Sequence, residues 1–215
     1  MDTAAKLSGV QKLKKDFPGM LFAKIRKYRL KLISGVATNR VYVLAKLKGI
    51  ELGKGVRFFG MPYLRRSPLS EIKIGTGCTF RSDKISNLIG INRACIIDTH
   101  RPEAIVHIGE KSGFSGTVIA AAEKIIIGKN VKCGANSTIT DFDWHYVDPK
   151  RRDENGSKSK PIYIEDNVWL GLNAIVLKGV RIGENSIITP NSVVVKDIPP
   201  NVIAGGNPCK VIKEL

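Results

Sequence analysis

Residues 164–194 read IEDNVWLGLNAIVLKGVRIGENSIITPNSVV, with an aliphatic residue at every sixth position. The anchors of this repeat are Ile164, Leu170, Val176, Ile182, Ile188 and Val194. Four residues after each anchor comes a second position, mostly small or β-branched: Val168, Ala174, Val180, Ser186, Ser192 and Ile198. A helix would repeat apolar residues about every 3.6 positions, and a half-buried strand every second position. A six-residue period therefore predicts a short strand plus a sharp turn, with one inward residue per unit.

The same period continues towards the N-terminus. Further anchors are Ile127, Cys133 and Ile139; then Ile108, Phe114 and Ala120; then Ile74 and Phe80. The step from Ala120 to Ile127 is seven residues, which predicts a bulge there. Three units would make one triangular coil of about 18 residues, and stacked coils would bury the anchors in a ladder. We expect glycine after anchors, as at Gly183, because a tight turn needs backbone conformations that are costly for other residues. Chance periodicity is the alternative, and six consecutive anchors disfavour it.

Composition excludes several classes of protein. The chain has 215 residues, of which 43% are hydrophobic, so it is long and apolar enough for a core and is not a disordered chain. It has neither an apolar run long enough for a membrane span nor an apolar segment after its first basic residues, so we expect no spanning helix and no secretory signal. The four cysteines form no CxxC pair, which disfavours a zinc ribbon or a thioredoxin-like site. We expect them to be small apolar fillers in a reducing cytosol.

Positive charge is concentrated at the N-terminus. The net charge is +16, and residues 1–50 hold twelve Lys or Arg against two acids. Within this segment Leu21, Ile25, Leu32 and Val36 share one helical face. Three interpretations compete: the segment caps the open end of the coils, it rests on an anionic membrane, or it binds nucleic acid. The last is disfavoured because no nucleic-acid motif accompanies the charge.

Three segments resemble the hexapeptide-repeat, left-handed β-helix acyltransferases, in particular the sugar and polysaccharide O-acetyltransferase branch with its galactoside and maltose enzymes. They are DFDWHYVDPKRR (141–152), PIYIEDNVWLGLNAIVLKGVRIGENSIITPNSVVVKDIPPN (161–201) and IAGGNPCKVIKEL (203–215). The resemblance covers about residues 72–213 and implies an all-β fold. The implied fold is a left-handed parallel β-helix with a basic, partly helical N-terminal segment (1–50) and a short closing segment (202–215). The β-helix itself would span 51–201, with an extruded loop at 141–161.

His145 is the candidate catalytic residue. Its loop lies between Ile139 and Ile164, anchors 25 residues apart, and an extruded polar loop on a rigid repeat is a typical place for a site. The resemblance aligns His145 with the family's catalytic histidine, which would remove the hydroxyl proton during direct acetyl transfer. The alternative is an exposed loop histidine. We expect Asp143 to orient the imidazole and Asn136, or else Asn92, to donate to the developing oxyanion, although both residue types are common in turns.

The resemblance also implies acetyl-CoA as co-substrate and no metal. Acetyl-CoA would lie in a cleft between two subunits of a homotrimer, and a saccharide or glycan precursor would accept the acetyl group. The expected cofactor-binding residues are Trp169, Gly171, Ala174, Lys178 and Lys210. Trp169 would wall the pocket or else pack against a neighbouring subunit, and Lys210 would meet a coenzyme A phosphate or else be solvated. The expected location is cytoplasmic, with peripheral contact to the inner face of the membrane.

Three other functions remain open. The first is N-acetylation of an amino sugar. The second is a metal hydratase of the γ-carbonic-anhydrase type, which needs three histidines at one metal. The spacing of His100 and His107, seven residues apart, differs from that family's. The third is a non-catalytic β-helix scaffold, which the polar His145 loop and the NPCK ending disfavour.

Overall fold

The computed structural model describes residues 15–154 and 156–215, so the first fourteen residues of the predicted N-terminal segment lie outside it. The described chain opens with one long helix, α1 (Phe17–Leu47), which Asp16 caps by accepting from the backbone N–H of Gly19 at 2.9 Å. Six coils of three short strands follow. These are β1 (Glu51–Leu52), β2 (Arg57–Phe59), β3 (Tyr63–Arg66); β4 (Glu71–Ile74), β5 (Thr79–Arg81), β6 (Ile96–Thr99); β7 (Ile105–Ile108), β8 (Gly113–Ser115), β9 (Val118–Ala121); β10 (Lys124–Ile127), β11 (Lys132–Cys133), β12 (Thr138–Thr140); β13 (Ile162–Ile164), β14 (Trp169–Leu170), β15 (Ile175–Val176); β16 (Arg181–Ile182), β17 (Ile187–Ile188) and β18 (Val193–Val194).

The strands stack into three parallel sheets that form a triangular prism. The first sheet has the order β1-β4-β7-β10-β13-β16 and the third has the order β3-β6-β9-β12-β15-β18. The second sheet has the order β2-β5-β8-β11-β14-β17 and is extended by β19 (Val202–Gly205) and β20 (Lys210–Glu214), which pair antiparallel as a closing hairpin. Two short 3-10 helices, Lys84–Ser86 and Pro149–Arg151, lie in excursions from the coils. The predicted parallel β-helix is confirmed.

The anchors predicted for residues 164–194 all point into the prism. Each is at most 1% exposed, and each second position is buried as well. In the second sheet this ladder continues through Phe58, Phe80 and Phe114, whose rings stack with centroids 5.1 and 4.8 Å apart. The interior is therefore a continuous apolar column, and each buried side chain contributes about 1.5–3 kcal/mol relative to exposure.

One predicted anchor is wrong. In β9 the side chain aligned with Ile97 and Ile139 is Ile119, not Ala120. Ala120 instead belongs to a small separate cluster with Phe142 and Ala122. Phe114 and Ile119 are therefore five residues apart, because the chain turns one residue earlier here than the six-residue period predicts.

The reason predicted for the glycines is also wrong. Gly171 follows its anchor without a positive φ, but an added Cβ there would lie 2.6 Å from the backbone nitrogen of Pro190 in the next coil. Close stacking of the coils therefore requires this glycine. Where a turn does take the left-handed backbone conformation, the residue is a glycine elsewhere in the repeat, such as Gly179, or an asparagine, such as Asn167, Asn185 and Asn201 with φ of 60°, 63° and 58°. The side-chain amide of Asn167 donates to Asn185, and that of Asn185 donates to Asn201, so the turns of successive coils are linked.

Helix α1 covers the open end of the prism with its C-terminal half. Ala37, Val41 and Ala45 are buried in the main core, and Thr38 accepts the backbone N–H of Phe58 at 3.0 Å. This supports the interpretation of the segment as a cap. The opposite face of the helix leaves an apolar stripe exposed: Leu21, Ile25, Tyr28, Leu32, Val36 and Val43. No helix within the described residues is long and apolar enough to cross a bilayer.

All four cysteines are free and buried, as expected for apolar fillers. Burial raises the pKa of the Cys78 and Cys95 thiols above their usual range. A thiol whose pKa is raised provides little thiolate, so these side chains are inert.

The phenylalanine stack predicts a large loss of stability on truncation. Phe80→Ala removes the central ring and leaves a cavity between two others, so we expect a loss of about 3–5 kcal/mol in the free energy of unfolding. Urea unfolding followed by circular dichroism measures it. The matched variant Leu88→Ala, at a side chain 70% exposed, should stay within about 0.5 kcal/mol of the parent. Equal effects of the two variants would contradict the ladder.

Candidate functional site

The extruded loop between β12 and β13 begins with a buried carboxylate. Asp141 is fully buried, and its two oxygens accept the backbone N–H groups of Ala122, Glu123 and Lys124 at 2.6, 2.9 and 2.6 Å. Burial raises the pKa of this carboxyl, although the three N–H donors favour the charged form. Asp141 therefore fixes the loop's departure point to the chain segment that follows β9.

An aromatic cluster holds the next part of the loop against the prism. The Phe142 ring stacks on His100, with centroids 4.8 Å apart, and Trp144 contacts both rings at 4.8 and 5.2 Å. Arg101 lies 5.6 Å from the Phe142 centroid and donates to the carbonyl of Ser157 at 2.7 Å. These groups enclose a cleft of about 240 Å³ whose lining is mainly polar, with Glu154 at its edge. The loop is thus packed on the prism at both of its ends.

His100 has charged neighbours on its other side. Its Nδ1 lies 3.5 Å from the Asp98 carboxylate, which Arg65 binds through two hydrogen bonds of 2.6 and 2.8 Å. Arg65 also contacts His100 Nδ1. His107 lies on a different sheet, where its Nε2 is 2.9 Å from Glu71. The three histidines are thus in three separate environments.

His145 is exposed on the loop, with Nδ1 2.9 Å from the backbone carbonyl oxygen of Arg152. A carbonyl oxygen only accepts hydrogen bonds, so this contact requires the proton on Nδ1. In the neutral ring Nε2 is then an unprotonated acceptor. The imidazole is therefore held in the tautomer that a general base needs, with Nε2 available to an incoming hydroxyl.

Asp143 has a different partner from the predicted one. Its Oδ1 accepts from Lys178 Nζ at 2.5 Å, and its backbone carbonyl accepts from the Ser157 hydroxyl. The Arg152 carbonyl takes the place that we had expected Asp143 to fill beside His145. The structure thus brings together two residues that were predicted for separate roles: Asp143 for the imidazole and Lys178 for the cofactor. Their ion pair ties the loop to the coil that contains Lys178.

Asn136 lies at a turn and is nearly buried, with φ of 61°. Its Oδ1 accepts the backbone N–H of Asn92 at 3.1 Å, and its Nδ2 donates to the carbonyl of Gly90 at 2.8 Å. The side-chain amide therefore fastens the excursion between β5 and β6 to the prism. The oxyanion role of Asn136 remains a prediction, as does that of the exposed Asn92.

The remaining predicted residues are spread over the later coils. Trp169 is 52% exposed on the second sheet, beside Lys132, and lines a groove of about 330 Å³. Lys210 is exposed at the start of β20. Gly171 is buried against the next coil for the steric reason given above. The Ala174 side chain is fully buried in the prism core, and its place at a cofactor edge stays a prediction.

Within residues 15–154 and 156–215, no group of three His, Cys, Asp or Glu side chains is placed to hold a metal ion.

Most of the contacts that fix the loop are not visible in the sequence. Lys178 was expected to bind the cofactor, Asp141 was at most an alternative to Asp143 for orienting the imidazole, and nothing pointed to the stacking of His100 on Phe142. One weak local signal is available: a carboxylate at the end of a six-residue unit, followed by an aromatic residue and a long insertion, indicates a residue that holds the loop to the prism. The partners come from other coils, where no local pattern points to them.

The chain carries the repeat of the hexapeptide transferases. Residues 161–196 match the family model described as bacterial transferase hexapeptide (six repeats), and the predicted resemblance to the galactoside and maltose branch is confirmed. A galactoside O-acetyltransferase of Lactococcus lactis is 45% identical over 112 residues, covering 51% of this chain and 53% of that protein. A galactoside O-acetyltransferase of Escherichia coli K12 is 40% identical over 112 residues, covering 51% and 54%. The chain thus spans about half the length of these curated relatives.

Solved structures extend the likeness to most of the chain. A maltose O-acetyltransferase from Clostridium difficile 630 is 28% identical, covers 91% of this chain and 88% of that one, and gives a TM-score of 0.50. The N-acyltransferase AntD from Bacillus cereus gives a TM-score of 0.62 at 19% identity, covering 80% and 87%, which is a likeness of fold alone. These neighbours are left-handed β-helices, and the predicted handedness is confirmed.

Removing the Asp141 carboxylate should loosen the loop and lower stability. Asp141→Ala leaves three backbone N–H groups without an acceptor, so we expect a loss of about 1–3 kcal/mol in the free energy of unfolding. Denaturant titration measures it. The control is Asp153→Ala, which removes an exposed carboxylate from the same loop and should be nearly neutral. A stable Asp141→Ala variant would show that the carboxylate does not anchor the loop.

Proposed function

We propose that the protein is an acetyl-CoA-dependent O-acetyltransferase that acetylates a hydroxyl of a saccharide or glycan precursor. One observation carries the proposal. The part of the chain that is 45% identical to a galactoside O-acetyltransferase belongs to a β-helix whose extruded loop presents His145 with Nε2 as acceptor. Relatives with the same printed activity include the Escherichia coli protein.

The chemistry needs one base and two bound substrates. His145 Nε2 takes the proton of the acceptor hydroxyl as its oxygen attacks the thioester carbonyl carbon. The tetrahedral intermediate collapses, the carbon–sulfur bond breaks, and the imidazolium returns its proton to the coenzyme A thiolate. Throughout the reaction the Arg152 carbonyl accepts a hydrogen bond from the Nδ1–H group, so the ring keeps its orientation. The four buried cysteines are poor candidates for an acyl-enzyme, which favours direct transfer.

Acetyl-CoA is proposed to bind along the later coils, between adjacent subunits of a homotrimer. Trp169 supports this because a large ring that is half exposed on the outer face of the second sheet offers a surface for the pantetheine arm or a neighbouring subunit. Lys210 is exposed and free to meet a phosphate. Lys178 would contribute only if it left Asp143, so we assign it first to positioning the loop.

We also propose a cytoplasmic location with peripheral contact to an anionic membrane. The free thiols fit a reducing compartment. The exposed apolar stripe of α1 faces away from the prism, and Lys24 and Arg29 flank it on either side. An apolar stripe bordered by cations is typical of helices that lie at the surface of an anionic bilayer. Contact there would bring the enzyme close to acceptors carried by lipid.

Loss of His145 should remove most of the activity. His145→Ala is expected to lower turnover at least about a hundredfold, because general-base help is typically worth about 10² to 10⁴ in rate. The assay follows release of the coenzyme A thiol from acetyl-CoA with galactoside and other saccharide acceptors. Size-exclusion chromatography should show an unchanged assembly, because the side chain is exposed.

The matched control is His107→Ala, which removes another partly exposed histidine and should retain nearly full activity. A fully active His145→Ala enzyme would exclude this residue as the base. Absence of transfer to any hydroxyl acceptor, with transfer to amino sugars, would instead establish N-acetylation.

Helix α1 should bind vesicles through its apolar stripe. We expect the protein to co-sediment with vesicles of phosphatidylglycerol and phosphatidylcholine, and Ile25→Ser/Leu32→Ser to bind at least about tenfold more weakly. The control Val147→Ser changes an apolar side chain, 82% exposed, on the extruded loop between β12 and β13. Binding that is unaffected by the double substitution would exclude the stripe as the contact.

A further inference from the structure

A second cleft lies between α1 and the first two coils. It has a volume of about 520 Å³ and is closed on one side by the helix and on the other by β2 and β5. Ala23, Leu30 and Phe59 provide apolar walls. The charged side chains that line it are all cations: Arg26, Lys27, Lys31, Arg57 and Arg81. None of these residues is used by the site around His145.

The described part of the chain provides no acidic partner for these five cations. Within the described residues, no carboxylate lies within ion-pair distance of any of them, whereas Lys73, Lys178 and Arg181 elsewhere on the prism each have one. The cleft therefore concentrates positive charge that no carboxylate among residues 15–154 and 156–215 neutralises. Such a concentration destabilises the folded chain unless an anion binds there.

Two of the guanidinium groups are held in place by neutral acceptors. Arg81 donates to the carbonyl of Ser86 at 2.8 Å, and Arg26 donates to the adjacent carbonyl of Ile85 at 3.4 Å. The Arg81 group also stacks on the Phe59 ring, 4.6 Å from its centroid. Burial, with Arg57 and Arg26 nearby, lowers the pKa of Arg81. The Arg81 group is thus fixed, the Arg26 group lies beside it, and each keeps further N–H donors for a ligand.

We propose that this cleft binds a phosphate-bearing anion, and that a diphosphate fits it best. Guanidinium groups bind phosphate oxygens in a bidentate manner, and lysines add charge without a geometric demand. Five cations exceed what a single carboxylate would neutralise, whereas a diphosphate carries several charges over adjacent groups. The apolar walls leave room for an organic group attached to the phosphates. The ligand is either a soluble diphosphate or a lipid with a phosphate headgroup.

Isothermal titration calorimetry with inorganic diphosphate at low ionic strength tests the proposal on the full chain. We expect saturable binding that weakens as salt is added, because exposed charges are screened. Arg57→Gln/Lys31→Gln should weaken it at least about tenfold, since two charge-assisted contacts are lost. The matched control Lys129→Gln/Lys213→Gln removes two exposed cations elsewhere and should change it less than about twofold. No binding at millimolar diphosphate, or equal losses in both double variants, would overturn the proposal.

Two further arms keep the test decisive. Lys27→Gln/Lys31→Gln changes only exposed helix side chains and must weaken diphosphate binding too, even if the Arg57 substitution unfolds the chain. Vesicles of phosphatidylglycerol then distinguish a soluble diphosphate from a lipid headgroup as the source of the phosphate. Competition between vesicles and diphosphate, reduced by the cleft substitutions, identifies a lipid phosphate, whereas diphosphate binding without competition identifies a soluble ligand. Vesicle binding with no diphosphate binding would overturn the site.

Discussion

Most of the short strands bury only one or two side chains, so the fold depends on packing every inward residue against its equivalents in the coils above and below. The ladder from Phe58 through Leu170 to Ala204 shows this in the second sheet, where equivalent residues align in register. Close stacking leaves no room for a Cβ at positions such as Gly171. A single coil could not satisfy these contacts, and their accumulation along the prism provides the stability.

The same constraint creates the site. Because the register of the ladder is fixed, additional residues between two strands must protrude from the prism as a loop. Ile139 pairs with Val176 across the insertion as if the intervening loop were absent. The loop is then held by contacts whose partners lie in other coils: Asp141 with the backbone N–H of Ala122, Phe142 with His100, and Asp143 with Lys178. A rigid support and a fixed loop together hold His145 in one tautomer and on one side of the prism.

The sequence predicted the prism well because period and burial are local properties. The six anchors predicted in residues 164–194 and the second positions that follow them are all buried as expected. The place of His145 in the extruded loop distinguishes it from the other two histidines. The errors arise where the structure departs from what spacing along the chain specifies. The six-residue period predicts an anchor at Ala120 because a period cannot show where a turn comes one residue early. Asp143 was assigned to His145 because both lie in one loop, whereas its partner Lys178 comes from another coil. Pairing across coils depends on three-dimensional stacking, which spacing along the chain does not report.

A crystal structure with acetyl-CoA and a saccharide acceptor tests the central claim most directly, because it fixes where the thioester lies relative to the loop. The account predicts the acceptor hydroxyl within hydrogen-bond reach of His145 Nε2, about 2.6–3.2 Å, and facing the thioester carbonyl carbon. A thioester bound far from this histidine, with another side chain beside the hydroxyl, would contradict it.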